Sequence, residues 1–301
     1  MISIRKIYIL LLITSILFLN CEQKGENIPT FAPTASYHIQ EGWKAFQSGD
    51  YVAAVDNFTA AKNRDALDST AYLGLGWSNA RLLDFEKSIS NFQLMLSFVK
   101  GNSMRTDAYA GLAMTYSAQH NDSLAIDAAR QALQILSDYQ FLYDNKITAA
   151  KLHVVIAQNY YNSQNYLKAL AEIDQYLLNG YVDNLLNDGI LVSIADKPVQ
   201  ATVFSYTELS GRAELTLTKT LQVAGSTKEV DAELVEVKSI KNSVTGVAYQ
   251  ILGFEQGGGV VRFLGIPIPQ AGETFLVDFL YANNYGVFLS RLSKTIQGLQ
   301  S

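Results

Sequence analysis

EGWKAFQSGDYVAAVDNFTAA, residues 41–61, and GLGWSNARLLDFEKSISNFQLML, residues 74–96, are one pattern written twice. Gly42 recurs as Gly76, Tyr51 as Phe85, Ala54 as Ser88 and Phe58 as Phe92, each 34 residues later. A fixed period in this range marks a solenoid of helical hairpins. Gly42 allows one helix to approach another closely. Gly49 and Asp50 mark the turn between two helices. Ala54, Phe58 and Ala61 then fall at i, i+4 and i+7 on one face of the second helix.

Two weaker copies follow. Residues 108–133, AYAGLAMTYSAQHNDSLAIDAARQAL, place Ala113 at the glycine position, Tyr116 in the first helix, and Ala125 and Ala132 in the second. Residues 153–177, HVVIAQNYYNSQNYLKALAEIDQYL, repeat this with Ala157, Tyr160, Tyr166 and Ala169. The spacing drifts: Ser88 to Ala125 is 37 residues and Ala125 to Ala169 is 44. The first excess falls at KGNSMRT, and the second predicts a longer helix or loop around DYQFLYDN. Proline is absent between residues 35 and 196, as long helices require.

This layout resembles the tetratricopeptide repeat (TPR). The resemblance implies about four TPR-like hairpins over residues 36–180, with first helices lining a concave groove that takes a protein or peptide partner. Trp43 and Trp77, the only tryptophans in the chain, each follow a first-helix glycine and lie 34 apart. The resemblance places them on the groove side together with Phe46, Arg81, Met114, Gln158, Tyr161 and Asn162. Aromatic, Met and Arg side chains are enriched at interface centres. Packing between neighbouring hairpins is the alternative for the same rings.

The chain opens as a targeting segment. Arg5 and Lys6 precede an apolar run over residues 7–19, interrupted by Thr14 and Ser15. The run is shorter than the ~20 residues of a spanning helix and fits a signal peptide over residues 1–20. Cys21, the only cysteine, follows directly. FLNC resembles the lipobox of bacterial lipoproteins, which implies that Cys21 is lipidated and becomes the mature N-terminus. An incidental cysteine beside an ordinary signal or membrane anchor is the alternative. Residues 21–35 are polar, carry two prolines and read as a tether. An acyl chain would then hold the protein at a membrane surface. Glu22 stands where some lipoproteins carry an inner-membrane retention aspartate, so the expected location is the bacterial cell envelope, at the outer membrane facing the periplasm.

Without Arg5 and Lys6 the chain has 21 basic and 28 acidic residues, a net charge of −7, and no basic run. That argues against nucleic-acid binding. No catalytic motif stands out, and neither a metal nor a cofactor is expected. His38 and His153 occupy equivalent places in hairpins one and four, too far apart to share an ion, and His120 lies at a turn. GLGWSN lacks the third glycine and preceding strand of a dinucleotide fingerprint. QGGGV, residues 256–260, lacks the Lys-Ser/Thr of a phosphate loop and reads as a hairpin turn.

After about Asn179 the pattern changes to short alternating β-branched runs. Strands are expected over 199–206, 213–223, 229–240, 245–253, 259–265, 274–281 and 286–292, an antiparallel β-sandwich-like domain over residues 190–301. Alternation slips within 229–240, which a bulge would explain. YANNYG resembles a hairpin end of immunoglobulin-like domains. Glu233 and Glu236 read as a solvated strand face. A capping element for the last hairpin is expected from the β region or from residues 182–194.

The function these features predict is a non-enzymatic, lipid-anchored envelope scaffold that binds a protein or peptide through the groove, within an outer-membrane assembly or secretion machine. In a second reading the β domain binds a glycan or other small ligand through exposed Tyr249, Tyr281 and Tyr285, with the repeats as spacer.

Overall fold

A computed structural model describes residues 33–200, 212–223, 226–264 and 272–300. Four helical hairpins come first: α1 (Ala35–Ser48) with α2 (Tyr51–Arg64), α3 (Ser69–Arg81) with α4 (Phe85–Phe98), α5 (Asn102–Ala118) with α6 (Asp122–Ile135), and α7 (Ala149–Asn162) with α8 (Tyr166–Tyr176). Asp50, Asp68, Asp84 and Thr148 cap helix starts by accepting from backbone N–H groups two or three residues on.

Each hairpin turns in the same way. One residue adopts left-handed φ: Gly49 (84°), Leu83 (62°), His120 (57°) and Gln164 (60°). The next residue then donates its N–H to a carbonyl five positions back: Asp50 to Ala45, Asp84 to Asn79, Asn121 to Tyr116 and Asn165 to Tyr160. The drifting sequence period, 34, 37 and 44, leaves these turns unchanged. The first excess lies in α5, which has 17 residues against 13 in α3, so most of KGNSMRT is helix and not connector; only the second lies in the stretch between α6 and α7. Only the first turn has the glycine that suits it. Leu83 is 71% exposed, so Leu83→Gly relieves backbone strain at little packing cost. A gain of about 1 kcal/mol is expected by chemical denaturation.

The glycine repeat has a mechanical reason. The Phe58 ring, from α2, lies against Gly42 of its own hairpin and Gly74 of the next. Phe92, from α4, lies against Gly76 of its own and Gly111 of the next. A Cβ at any of these four positions would come within 3 Å of the ring. Each phenylalanine therefore bolts three helices together through two bare backbone patches. First helices touch one another in sequence, α1 to α3 to α5 to α7, which places them on the inner side of the stack.

Beyond the hairpins, α9 (Tyr181–Asn187) leads into an antiparallel β region. Strands β1 (Leu191–Gln200), β8 (Thr274–Ala282) and β5 (Leu234–Asn242) form one sheet in the order β1-β8-β5. Strands β2 (Arg212–Thr216), β7 (Val260–Leu264) and β6 (Gln250–Phe254) form a second, β2-β7-β6. Strands β3 (Thr218–Val223) and β4 (Ser226–Asp231) pair as a hairpin. Leu215, Val261 and Phe263 from one three-stranded sheet share a core with Ile240, Phe275 and Phe279 from the other. The slip expected within 229–240 is real: β4 ends at Asp231, and β5 shifts register against β8 between Leu234 and Glu236 and again between Val237 and Ser239. The run expected over 213–223 is broken at Leu217 into β2 and β3. The first strand starts at Leu191, ahead of the expected 199, and residues 201–206 lie outside the described residues.

One expected strand is a helix. Residues 286–292 lie inside α10 (Tyr285–Gln300), and YANNYG is a strand-to-helix junction instead of a hairpin end. Asn284 caps the helix by accepting from the Val287 N–H. Phe288, Leu292 and Ile296, four residues apart, bury one stripe. They share a core with Ala157, Ala169 and Ile173 of the fourth hairpin, Leu185 of α9, and Leu191, Val235 and Leu280 of the first sheet. The end of the hairpin stack is thus covered by α9, α10 and the edge of the sheet. The junction is pinned by Lys219, whose buried ammonium donates to Glu233 at 2.7 Å and to the carbonyls of Ala282 and Asn283. Glu233 also accepts from the Tyr285 N–H, so it is not a solvated strand carboxylate.

Candidate functional site: the inner face of the hairpins

The extra residues between hairpins three and four decide what this face offers. Residues 136–148 do not extend a helix; they fold back across the inner side of the stack. Residues 139–143 alternate in burial, with Tyr139 and Phe141 buried, Tyr143 half-buried, and Gln140 and Leu142 exposed. The segment closes on itself through Phe141 N–H to the Ile147 carbonyl (2.8 Å) and Ala149 N–H to the Tyr139 carbonyl (2.7 Å).

Its inward side chains meet the two tryptophans. Tyr143 stacks flat on Trp43, with centroids 3.7 Å apart and planes at 1°. Phe141 stacks on Trp77 at 4.6 Å and meets Trp43 edge-on at 6.0 Å. Asp144 pairs with Arg81. Tyr139 donates its hydroxyl to Asp107 of α5 at 3.0 Å. Trp43 and Trp77 are consequently 4% and 2% exposed, and Phe46 is equally buried. The expectation of an open groove at Trp43, Phe46 and Trp77 is corrected here: the chain itself fills this end, and the three rings are core. Both indole N–H groups are buried without an acceptor among the described residues.

Of the remaining expected residues, Met114, Gln158 and Asn162 lie together further along the same face, whereas Arg81 is held by Asp144 at the connector and Tyr161 does not line the hollow they form. Met114, Gln158 and Asn162 line a hollow of about 500 Å³ between α5 and α7, closed on one side by Gln297 and Gln300 of α10. Gln158 donates to Asn162 at 2.6 Å and accepts from Gln300 at 2.9 Å. Lys151 donates to the Gln300 carbonyl at 2.6 Å. Burial, with Lys146 nearby, holds the Lys151 ammonium below the ordinary lysine range. Tyr161 is half-buried under α10, its hydroxyl 3.5 Å from the Leu289 carbonyl. Sequence reasoning missed α10 as a wall of this hollow.

A second hollow, about 660 Å³, opens on the outer side between α6, α7 and α8. His153, stacked on Tyr176, contacts the buried Glu172 carboxylate at 2.6 Å; Arg130 approaches that carboxylate at 3.8 Å and donates to the Tyr160 hydroxyl. His38 contacts Asn57 across the first hairpin over the same 19-residue interval that separates His153 from Glu172, as equivalent positions require. Tyr249, expected to be exposed, is buried against Phe263 and Phe275, and Tyr281 and Tyr285 are half-buried. Cys21 and residues 1–20 lie outside the described residues.

Asp107 gives the inner face a pH dependence. Burial pushes its carboxyl up to about 6, opposed by the Tyr139 hydrogen bond. A carboxyl raised above its unfolded value favours the fold in its protonated form. That contribution is complete below about pH 4 and lost as pH rises to about 6. At neutral pH the buried carboxylate costs about 2–3 kcal/mol. Asp107→Asn keeps an acceptor for Tyr139 and removes the charge. It is expected to raise the denaturation midpoint at pH 7 and to leave it nearly unchanged at pH 4.

No protein-family model matches the chain, and no curated protein matches it. Among solved structures it is similar to the crystal structure of the APC/C hetero-tetramer Cut9–Hcn1, with 20% identity and a TM-score of 0.39 over 52% of this chain and 30% of that one. It is similar to the first TPR domain of human RPAP3, with 18% identity and a TM-score of 0.35 over 48% of this chain and 100% of that one. It is also similar to TTC0263, a thermophilic TPR protein of Thermus thermophilus, with 15% identity and a TM-score of 0.36 over 52% of this chain and 84% of that one. The chain thus spans less than a third of the Cut9–Hcn1 chain it matches.

Proposed function

We propose that this chain is a non-enzymatic TPR-type scaffold that binds a protein or peptide partner on the inner face of its hairpins. In this reading residues 36–180 are the binding module. Residues 190–301, with two sheets around one core, are a small sandwich-like unit that carries α10 back onto that module. The observation that carries the reading is the hollow where Met114, Gln158 and Asn162 come together beside α10. It combines an adaptable apolar side chain with amide donors and acceptors, which suits a peptide backbone. Lipidation of Cys21 places the scaffold in the bacterial cell envelope, at the outer membrane facing the periplasm, within an assembly or secretion machine.

Two experiments test this. A photo-crosslinking residue at Gln158 of the full lipid-anchored chain yields a protein adduct in the envelope, while the same residue at Val52, exposed on the outer helix α2, does not. An adduct from Val52 alone would move the partner to the outer side. Cys21→Ser shifts the chain from the membrane to the soluble fraction; continued membrane association would remove the lipid anchor from the account.

A further inference from the structure

The connector between hairpins three and four is far longer than its counterparts. Four residues, 65–68, join α2 to α3, and three, 99–101, join α4 to α5; thirteen, 136–148, join α6 to α7. The surplus is not spent on bridging distance, because it runs back over hairpins one and two. Within it, alternate side chains face the stack, as in an extended strand laid along a groove. Phe141 and Tyr143, two residues apart, each take one of two tryptophans that are themselves equivalent in the repeat. Asp144, the next residue, takes Arg81. Leu142 between them is 79% exposed.

The fit is good for rings and poor for donors. The Trp43 and Trp77 indole N–H groups are both buried with no acceptor among the described residues. A buried donor left unmade is costly, and here the cost recurs at equivalent positions. The connector's own anchor adds to it, since Tyr139 holds the buried Asp107 carboxyl.

We propose that residues 137–148 are a built-in stand-in for a partner's segment, and that an extended peptide of the pattern aromatic–any–aromatic–acidic displaces them from Trp43, Trp77 and Arg81. The two aromatic residues occupy the stacking places of Phe141 and Tyr143, and the acid takes the guanidinium. Acceptor groups on the incoming segment are free to meet the two indoles. The self-closed connector leaves as one unit, hinged at the ends of α6 and α7. This rests on the scaffold reading but concerns a different stretch of the inner face from the hollow at Gln158.

The test uses the full chain and a fluorescent peptide of sequence SDYQFLYDNKIT, the chain's own residues 137–148. Anisotropy titrations compare the wild type with a Phe141→Ala, Tyr143→Ala double variant. The variant is expected to bind at least about tenfold more tightly than the wild type, and adding Arg81→Ala is expected to weaken that binding about tenfold, the scale of one ion-paired contact. A folded double variant that binds no better than the wild type overturns the proposal. Where the variant does not fold, hydrogen exchange of the wild type decides. Phe141 and Ala149 amides exchanging at least about tenfold faster than the core amides of α3 mean that the segment opens by itself. Equal rates mean that it is a fixed part of the core, and the proposal fails. Crosslinking at Gln158 is indifferent to either result, so failure here and failure of the scaffold reading are separable.

Discussion

Phe92→Ala lowers the stability of the hairpin stack by about 3–5 kcal/mol, the range for removing a fully buried aromatic ring. Phe92 is completely buried, held between Gly76 of α3 and Gly111 of α5, and meets Trp77 edge-on at 5.8 Å. The cavity left behind spans three helices, and two of its walls are bare backbone with no side chain to swing in. A solenoid holds each repeat mainly through its neighbours, so the loss falls on the coupling between hairpins two and three. Urea unfolding is then expected to broaden or split as well as shift. The reciprocal change makes the case sharper. Gly111→Ala ordinarily favours a helix by about 1 kcal/mol, but here the new Cβ would lie well inside van der Waals contact of the Phe92 ring. The sign therefore reverses, and overpacking costs about 1–3 kcal/mol. Combining Gly111→Ala with Phe92→Leu recovers part of the loss, a coupling that a double-mutant cycle measures. Additive effects would show that the ring is not clamped.

Phe141→Ala is the second large effect, again about 3–5 kcal/mol if the segment stays docked in the native state. Phe141 is as buried as any ring of the helices, although it belongs to a connector. Its removal takes the stacking partner from Trp77 and an edge contact from Trp43. The loss is capped at the free energy of undocking, because the segment can leave once it no longer repays its own ordering. A loss well below about 3 kcal/mol, together with a red-shifted tryptophan emission, therefore reports undocking and bounds how firmly residues 137–148 are held.

How much of the fold is legible in the sequence depends on whether the physics is local. The hairpins are legible, since a glycine that must admit a neighbour's ring recurs with that ring, and Gly42, Gly76, Phe58 and Phe92 display the period directly. The length of the third connector is legible too. Its path is not, because Tyr143 and Phe141 find their places only against Trp43 and Trp77, 100 and 64 residues earlier. The repeat shows that Trp43 and Trp77 are equivalent, but their being covered is a property of the connector. Helix α10 reads as a strand because Gly286, Val287, Phe288 and Leu289 look like a strand after a turn. The fourfold spacing of Phe288, Leu292 and Ile296, and Asn284 as a cap, carries the correct answer. Lys219 cannot be matched to Glu233 and the 282–285 junction from sequence, since strand pairing alone brings them together.

The most direct test of the closed inner face uses the fact that the chain has two tryptophans and both lie under residues 137–148. Their intrinsic fluorescence reports on that site and nowhere else. With the segment docked, emission is blue-shifted and iodide quenches it only weakly, and the Phe141→Ala, Tyr143→Ala variant shifts to the red and becomes quenchable. Wild-type emission at the wavelength of water-exposed tryptophan, quenched by iodide as readily as the free amino acid, would contradict the account at its centre.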